Sequence, residues 1–263
     1  MKIATFNING IKARSQALLD WLAEAEPDVA CLQEIKSVDE AFPREPFESL
    51  GYRVETHGMK GFHGVAILSK LPLEDITRRL PPKTGTDDAD EQTRWIEATV
   101  MGKRPVRVCG LYLPNGNPAP GPKYDYKLAW LDRMLARTKT LLTCEEPLVL
   151  CGDYNVIPQA EDAANPKDWL TDALYLPQTR EAYQRLLNLG LTDAIRARNP
   201  APGTYTFWDF QRGAWERNNG IRIDHLLLSP QAADLLTASG IDTAVRGRDK
   251  PSDHVPTWIE LDA

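Results

Sequence analysis

Short apolar runs, each ending abruptly in a polar residue, recur along this chain of 263 residues and restrict the folds open to it. Runs of about four to eight aliphatic residues bounded by turn-forming residues are typical of buried β-strands. The pattern predicts seven strands, at residues 3–6, 29–32, 64–68, 106–111, 148–151, 221–228 and 255–261.

Four segments between these strands carry the spacing or the end signals of helices. Leucines recur at helical intervals over residues 18–22 and 128–142, a third helix ends near Gly190, and Ser229-Pro230 begins a fourth that Gly240 closes. Alternating strands and helices predict an α/β protein whose helices cover the faces of its sheets. The polar strand ends extend from residue 7 to residue 254, so a single domain covering residues 1–263 is expected.

Composition excludes several classes of protein. The chain is 42% hydrophobic and 26% charged, which is near the globular average and disfavours disordered or fibrous architectures. Since it has no apolar run of about 18 residues and no signal-peptide pattern at the start, we expect a cytoplasmic protein without a membrane partner. The four cysteines include no C-x-x-C pair, so they predict buried apolar positions rather than zinc or redox chemistry.

The net charge of −6 argues at first against a nucleic-acid partner, because domains that bind nucleic acid are usually basic. The distribution of the charges weakens that argument. Acidic residues are concentrated at the predicted strand ends and in residues 87–91, whereas residues 196–222 hold five arginines and two acidic residues. Phosphate contacts need a basic stripe beside the site rather than a basic protein. Such a stripe is consistent with salt-sensitive binding of a nucleic acid on one face.

Oxygen-bearing side chains, with one histidine, collect at the ends of the predicted strands. Carboxylate and amide oxygens with a single imidazole suit Mg²⁺ or Mn²⁺ rather than a metal that prefers thiolates. Taken singly, an Asp or Asn after a strand is more typical of a turn or a helix cap than of a metal ligand. Glu34 differs, because it directly follows an apolar run where a carboxylate without a partner would be costly. The set comprises Asn7, Glu34, Tyr112, Asp153, Asn155, Asp224, Asp253 and His254.

Seven short motifs, in order, cover nearly the whole chain. They are FNING (6–10), LQEIK (32–36), GFHGVA (61–66), YLPNG (112–116), GDYN (152–155), GIRIDH (220–225) and SDHVP (252–256). This series closely resembles the exonuclease III family of AP endonucleases, within the endonuclease/exonuclease/phosphatase superfamily. The resemblance implies a four-layer α/β/β/α sandwich, in which two packed mixed sheets are flanked by helices.

The resemblance also implies a role for each residue at the strand ends. Asp153 would orient or deprotonate the attacking water, His254 would bind the scissile phosphate, and Asp224 would fix the ring of His254. The choice between Asp153 and Tyr112 as the base, and between one metal ion and two, stays open. The implied catalytic set is Tyr112, Asp153, Asn155, Asp224 and His254. The implied metal set is Asn7, Glu34, Asp153, Asn155, Asp253 and His254.

The family positions imply a second site, where DNA would bind. Phe207, Ile221 and Ile223 would wall a pocket for a sugar without its base, although an Ile-x-Ile alternation also suits an ordinary strand face. Trp215 would either insert into the minor groove or cap its loop. Residues 115–123, 157–176 and 211–219 depart from the family pattern. The expected DNA-binding set is Asn9, Arg14, Lys123, Phe207, Trp208, Trp215, Ile221, Arg222 and Ile223.

The function implied is Mg²⁺-dependent cleavage on the 5′ side of abasic sites in duplex DNA, by a monomer in which Mn²⁺ can substitute. A 3′–5′ exonuclease activity and the removal of 3′-blocking groups such as a phosphate would accompany it. Two alternatives remain. One is a phosphoesterase for phosphoinositides or sphingolipids, or a non-specific deoxyribonuclease, built on the same fold. The other is a DNA-binding protein that has lost catalysis. The balance among the DNA activities is open, because the loops depart from the family.

Overall fold

The computed structural model describes residues 1–82 and 91–263, and within them the chain forms two six-stranded sheets. Residues 87–90 of the predicted acidic stretch lie outside the described residues. The strands are β1 (Lys2–Asn7), β2 (Val29–Gln33), β3 (Arg53–His57), β4 (Val65–Ser69), β5 (Leu73–Arg78), β6 (Trp95–Val100), β7 (Val106–Tyr112), β8 (Leu148–Asp153), β9 (Thr192–Asp193), β10 (Asp224–Leu228), β11 (Leu236–Ile241) and β12 (Thr257–Leu261). The α-helices are α1 (Ile11–Ala25), α2 (Arg44–Ser49), α3 (Pro122–Leu142), α4 (Pro177–Leu187), α5 (Ala194–Arg198) and α6 (Pro230–Ala233).

Both sheets are mixed. The first has the order β11-β12-β1-β2-β4-β3 and the second has the order β5-β6-β7-β8-β10-β9. The parallel pairs are β1 with β2 in the first sheet and β7 with β8 in the second, and the neighbouring pairs are antiparallel. Each sheet therefore brings the carboxyl ends of two adjacent parallel strands to the same edge, where side chains from neighbouring strands can meet.

The layers follow from the alternation of side chains along each strand. In β2, Val29 and Cys31 point into a core that also contains Val149 and Cys151 of β8, so the two sheets pack face to face. Ala30 and Leu32 point the other way, into a core shared with α1. The outer face of the second sheet is covered by α3 and α4. This arrangement confirms the expected four-layer α/β/β/α sandwich, and it explains why apolar runs without alternation marked the strands.

The structure corrects several predicted elements. The fourth helix begins as predicted, since the Ser229 hydroxyl accepts from the backbone N–H of Ala232, but it ends at Ala233, and residues 236–241 form β11. The strand predicted over 221–228 begins only at Asp224. Strands β3, β5 and β6 were not predicted; β3 and β5 lie at sheet edges, where half-exposed polar side chains replace the apolar run. The buried face of α3 includes Lys127 and Trp130 rather than a simple leucine stripe.

Three of the four cysteines are buried, but the expectation of burial is wrong for Cys144, which is exposed just after α3. Within the described residues no helix is both long and apolar enough to cross a lipid bilayer.

Candidate active site

The polar strand ends meet at one edge of the sandwich. In the second sheet Asp153 is paired with Tyr112 on one side and with Asp224 on the other. In the first sheet Asn7 ends β1, and Glu34 follows β2. The Asn7 amide joins the two sheets, because its Nδ2 donates to Glu34 Oε1 at 3.0 Å and to Asp153 Oδ2 at 2.9 Å. The site is thus assembled from strands that are far apart in the sequence.

His254 lies between two carboxylates. Its Nδ1 is 2.8 Å from Asp224 Oδ2, and its Nε2 is 3.8 Å from Asp153 Oδ2. Burial alone would lower the pKa of His254, but the charges of Asp224 and Asp153 outweigh it and raise the pKa to about 10. The imidazole is therefore protonated at neutral pH. With Nδ1–H donated to Asp224, its Nε2–H is directed at the Asp153 side of the site and can donate to an anionic oxygen there.

Asp153 is buried at the centre of the site. Burial raises its pKa, against the lowering effects of His254, the Asn155 backbone N–H and the Asn7 amide. The Asn155 N–H donates to Asp153 Oδ1 at 2.9 Å, and so fixes the plane of the carboxyl group. A carboxylate with a raised pKa is a better proton acceptor at neutral pH than an ordinary one.

Tyr112 is arranged as a donor. Its hydroxyl donates to Glu34 Oε1 at 2.9 Å, and Lys36 Nζ lies 2.9 Å from Glu34 Oε2. Burial and the adjacent charge of Glu34 raise the pKa of Tyr112 well above its ordinary value, so the phenol stays protonated at neutral pH. This favours Asp153 over Tyr112 as the group that accepts a proton.

Two residues that the sequence analysis missed hold Asn155 in place through hydrogen bonds. Lys127 is fully buried, and its Nζ donates to the carbonyl oxygens of Asn155 at 2.6 Å and of Asn115 at 3.0 Å. Asn115 Nδ2 in turn donates to Asn155 Oδ1 at 3.1 Å. Asn115 lies inside the YLPNG motif, so its position was a signal. The sequence around Lys127 gave no such signal, because a lysine on a helix is more often exposed than buried.

The loops around the site hold unusual backbone conformations. Glu34 and Asn155 have φ values of 50° and 48°, in the left-handed region that residues other than glycine seldom adopt. Asn9, with a φ of 48°, donates from Nδ2 to Asp253 Oδ1 at 3.0 Å and ties the loop after β1 to the segment before β12. Conformations of this kind persist where the surrounding contacts impose them, and they cluster at functional sites.

The residues at the centre fit a hard divalent cation. One ligand atom from each of Asp153, Asp224 and His254 lies within 4.8 Å of the others, and of these the two carboxylates can bind a cation, because both ring nitrogens of the protonated His254 carry a hydrogen. Asp224 Oδ1 is buried and has no hydrogen-bond partner among the described residues. The Glu34 carboxylate, by contrast, is partly exposed at the mouth of the site. This oxygen-rich set, without a thiolate, is the donor chemistry that Mg²⁺ and Mn²⁺ prefer.

Comparisons with known proteins agree with this geometry. The model of the "Endonuclease/Exonuclease/phosphatase family" matches residues 4–254. The chain belongs to this family. It is 38% identical to exodeoxyribonuclease III of Haemophilus influenzae, with 99% of this chain and 100% of the relative covered. It is 32% identical to the DNA repair nuclease APEX1 of Danio rerio, with 99% of this chain and 82% of the relative covered.

Two solved structures of family members share the whole fold. An AP endonuclease from Archaeoglobus fulgidus superposes with a TM-score of 0.93 at 36% identity, and both chains are covered completely. The 3′ phosphatase NExo from Neisseria, bound to a product DNA hairpin, superposes with a TM-score of 0.94 at 35% identity, again with complete coverage of both chains. The expected membership of the exonuclease III group, and with it a nuclease-type hydrolase, is therefore confirmed.

The apolar residues expected to wall a sugar pocket are brought together beside His254. The ring centroids of Phe207 and His254 are 4.9 Å apart, and Phe207 packs with Ile221 and Ile223 in one apolar cluster. Phe207 and Ile221 also border a cavity of about 320 Å³. Lys123 is exposed at a second cavity, of about 430 Å³, on the side of the site occupied by Asn115.

The structure contradicts two of the expected DNA contacts. Arg222 is buried, and it donates from Nε to Asp162 Oδ1 at 2.7 Å and from Nη1 to Asp193 Oδ2 at 2.8 Å. Trp208 is also buried, with its indole N–H donating to Asn218 Oδ1 at 3.1 Å. Neither side chain is accessible to a DNA backbone, because both are used to hold the segments around the pocket.

Trp215 and Arg14 are partly engaged within the protein. Trp215 packs edge-on against Trp208 with ring centroids 5.0 Å apart, which matches the loop-capping alternative. Arg14 donates from Nε to the Pro251 carbonyl at 3.0 Å, and its guanidinium lies 5.8 Å from the ring of the exposed Phe210.

Gly152 is required by the close approach of β7 to β8 just before Asp153. A Cβ atom at Gly152 would lie 1.9 Å from the backbone carbonyl oxygen of Leu111, which cannot move without breaking the ladder. We expect Gly152→Ala to lower the free energy of unfolding by about 3 kcal/mol, at the upper end of the usual cost of overpacking. Chemical denaturation measures the change. Gly247→Ala, where a Cβ would make ordinary contacts of 3.7 Å and 3.9 Å with the ring of Trp215, controls for lost glycine freedom. Equal effects at the two positions would refute the clash.

Proposed function

We propose that this chain is a Mg²⁺-dependent DNA-repair phosphodiesterase that cleaves duplex DNA on the 5′ side of abasic sites. We propose in addition 3′–5′ exonuclease and 3′-phosphatase activities. The observation that carries the proposal is the buried pair of His254 and Asp153, backed by Asp224 and joined across both sheets through Asn7. The names of the relatives, exodeoxyribonuclease III, AP endonuclease and 3′ phosphatase, support the same three activities.

The site draws on both sheets, so we propose that residues 1–263 act as one domain and as a monomer. Glu34, Asp153 and Asn7 would hold the divalent ion, with Asn155, Asp253 and His254 close by. When bound, such an ion offsets the negative charge that develops on the phosphate. This role for Mg²⁺ or Mn²⁺ rests on the oxygen-rich donor set described above.

The protein's own groups would then carry the proton transfers and orient the phosphate. His254 donates its Nε2–H to a non-bridging phosphate oxygen, while Asp224 keeps the ring charged and oriented. Asp153 accepts the proton of the attacking water as the new O–P bond forms and the P–O3′ bond breaks. Tyr112 and Asn155 hold the two carboxylates, of Glu34 and Asp153, in place. The departing O3′ takes a proton from solvent water, so the products are a 3′-hydroxyl and a 5′-phosphate that carries the abasic sugar.

The decisive assay uses a duplex with one tetrahydrofuran abasic analogue, incubated with and without Mg²⁺. We expect one nick on the 5′ side of the analogue, abolished by a chelator. Parallel duplexes with a recessed 3′ end and with a 3′-phosphate measure the other two activities. Binding without nicking would favour a DNA-binding protein without catalysis. If the protein cleaves neither the abasic duplex nor the 3′-terminal substrates but releases phosphate from lipid headgroups, the phosphoesterase alternative would be favoured.

Binding to DNA is expected to depend on salt in spite of the net charge of −6. Exposed basic side chains near the site include Lys12, Lys123, Arg212 and Arg217. Each phosphate that they neutralise should add about 0.9 to the magnitude of the slope of log K against log salt concentration. Fluorescence anisotropy with a labelled abasic duplex in the presence of a chelator measures that slope. A flat dependence would count against a basic DNA-binding face.

A further inference from the structure

A cavity of about 320 Å³ lies beside the active site. Its lining includes Trp169, Ile221 and Phe207, and the ring centroid of Phe207 is 4.9 Å from that of His254. Trp169 is partly buried and packs against the same apolar cluster as Phe207. We call the lining residues other than Phe207 and Ile221 the outer part of the cavity. They are Asp209, Gln211, Ala214 and four others that bear an aromatic ring, two guanidinium groups and an amide, namely Trp169, Arg212, Arg217 and Asn219.

These four side chains have the chemistry of a nucleobase site. An indole ring offers a stacking platform for any base, a guanidinium plane can stack or donate, and an amide can pair with a base edge. No ion pair with a described residue engages Arg212 or Arg217. A bare deoxyribose would leave this outer part of the cavity empty.

The walls of the cavity are fixed before any ligand arrives. The Asn165 amide donates to Asn219 Oδ1 at 2.8 Å, and the Ala164 N–H donates to the Gly220 carbonyl at 3.0 Å. On the inner side Phe207 and Ile221 exchange backbone hydrogen bonds of 3.0 Å. The segment that carries Trp169 is thus tied to the loop that carries the two arginines. Preformed walls reduce the entropy lost on binding.

We infer that this outer cavity binds the base of the nucleotide on the 3′ side of the scissile phosphate. The inference rests on the proposed function. The sugar of that nucleotide lies against Phe207 in both reactions. In abasic cleavage its C1′ carries no base, whereas in exonuclease cleavage its C1′ carries one. Stacking on Trp169 offsets the cost of withdrawing a terminal base from the duplex. Removal of a 3′-phosphate leaves nothing on the 3′ side, so it does not use the cavity.

The test compares initial rates of the wild type, Trp169→Ala, Trp169→Phe and Leu170→Ala on three Mg²⁺-containing reactions. The substrates are a recessed 3′ end, an internal abasic analogue and a 3′-phosphate. We expect Trp169→Ala to lower the ratio of exonuclease to abasic cleavage about tenfold or more, the size of a lost base–aromatic stack. Trp169→Phe should keep most of the ratio. Leu170→Ala, at the exposed neighbour outside the cavity, should leave the ratio unchanged.

The outcomes separate this inference from the proposed function. A ratio that stays within about twofold of wild type in Trp169→Ala overturns the base site. Parallel loss of all three activities overturns it too, since Trp169 would then be a structural support. A wild type that nicks abasic DNA but removes no 3′-terminal nucleotide overturns the base site and leaves abasic cleavage standing. A wild type inactive on all three substrates overturns the proposed function together with the base site.

Discussion

Asp153→Asn is expected to lower kcat for abasic-site cleavage by about 10³-fold, within the range of about 10² to 10⁴ attributed to a positioned general base. The asparagine amide fills the same space, and its single carbonyl oxygen can still accept either from the Asn7 amide, which donates to Asp153 Oδ2 at 2.9 Å in the wild type, or from the Asn155 N–H, which donates to Oδ1 at 2.9 Å. It cannot accept the proton of the attacking water. Single-turnover kinetics on the abasic duplex measure the chemical step directly.

The same substitution should leave the fold intact. Burial raises the pKa of Asp153 above its unfolded value, so keeping this carboxylate ionised opposes folding at neutral pH. A neutral amide removes that cost but gives up one of the two hydrogen bonds that the carboxylate accepts, so the melting temperature should stay close to that of the wild type. Asp234→Asn, at an exposed position after α6, is the matched control and should change neither quantity. Retention of more than a tenth of the wild-type kcat would remove Asp153 as the base, and Tyr112→Phe would then test the remaining candidate.

Much of the site could be predicted because its residues follow strands, and strands with two covered faces are visible in the sequence as apolar runs. Asn7 and Asp153 end such strands, Asp224 begins β10, and the structure brings all three to one edge. The partners that hold them could not be predicted. Lys127 reaches the carbonyl of Asn155 across 28 residues, from a helix whose sequence pattern gives no sign of it.

The errors have the same physical origin. Arg222 lies in a motif at the DNA-binding face, so a contact with phosphate was the natural expectation. Its carboxylate partners, Asp162 and Asp193, are 60 and 29 residues away in the sequence, and only the fold shows that they enclose the guanidinium. Local sequence also fails to predict which aromatic side chains of this segment are exposed. Phe210 is exposed and Trp208, two residues earlier, is buried, although nothing in the local sequence distinguishes them.

Asp162→Asn is expected to lower the free energy of unfolding by about 3–5 kcal/mol at neutral pH, the usual cost of removing one partner of a buried ion pair. Asp162 is buried and accepts hydrogen bonds from Arg222 Nε at 2.7 Å and from the Arg196 guanidinium. The amide cannot carry the charge that compensates Arg222. Urea denaturation of both proteins at pH 7 measures the difference. Asp168→Asn, at an exposed position of the same segment, is the control and should fall within about 0.5 kcal/mol of wild type.

The pH dependence of that difference tests its cause. Burial raises the pKa of Asp162, but Arg222 and Arg196 outweigh it and leave the pKa below its ordinary value. The stabilisation is therefore fully present above the unfolded pKa of about 3.9 and is lost as the pH falls through the lower, folded value. The difference in the free energy of unfolding between the wild type and Asp162→Asn should therefore shrink in that acidic range. A gap that stays constant down to pH 2 would assign the loss to packing rather than to charge.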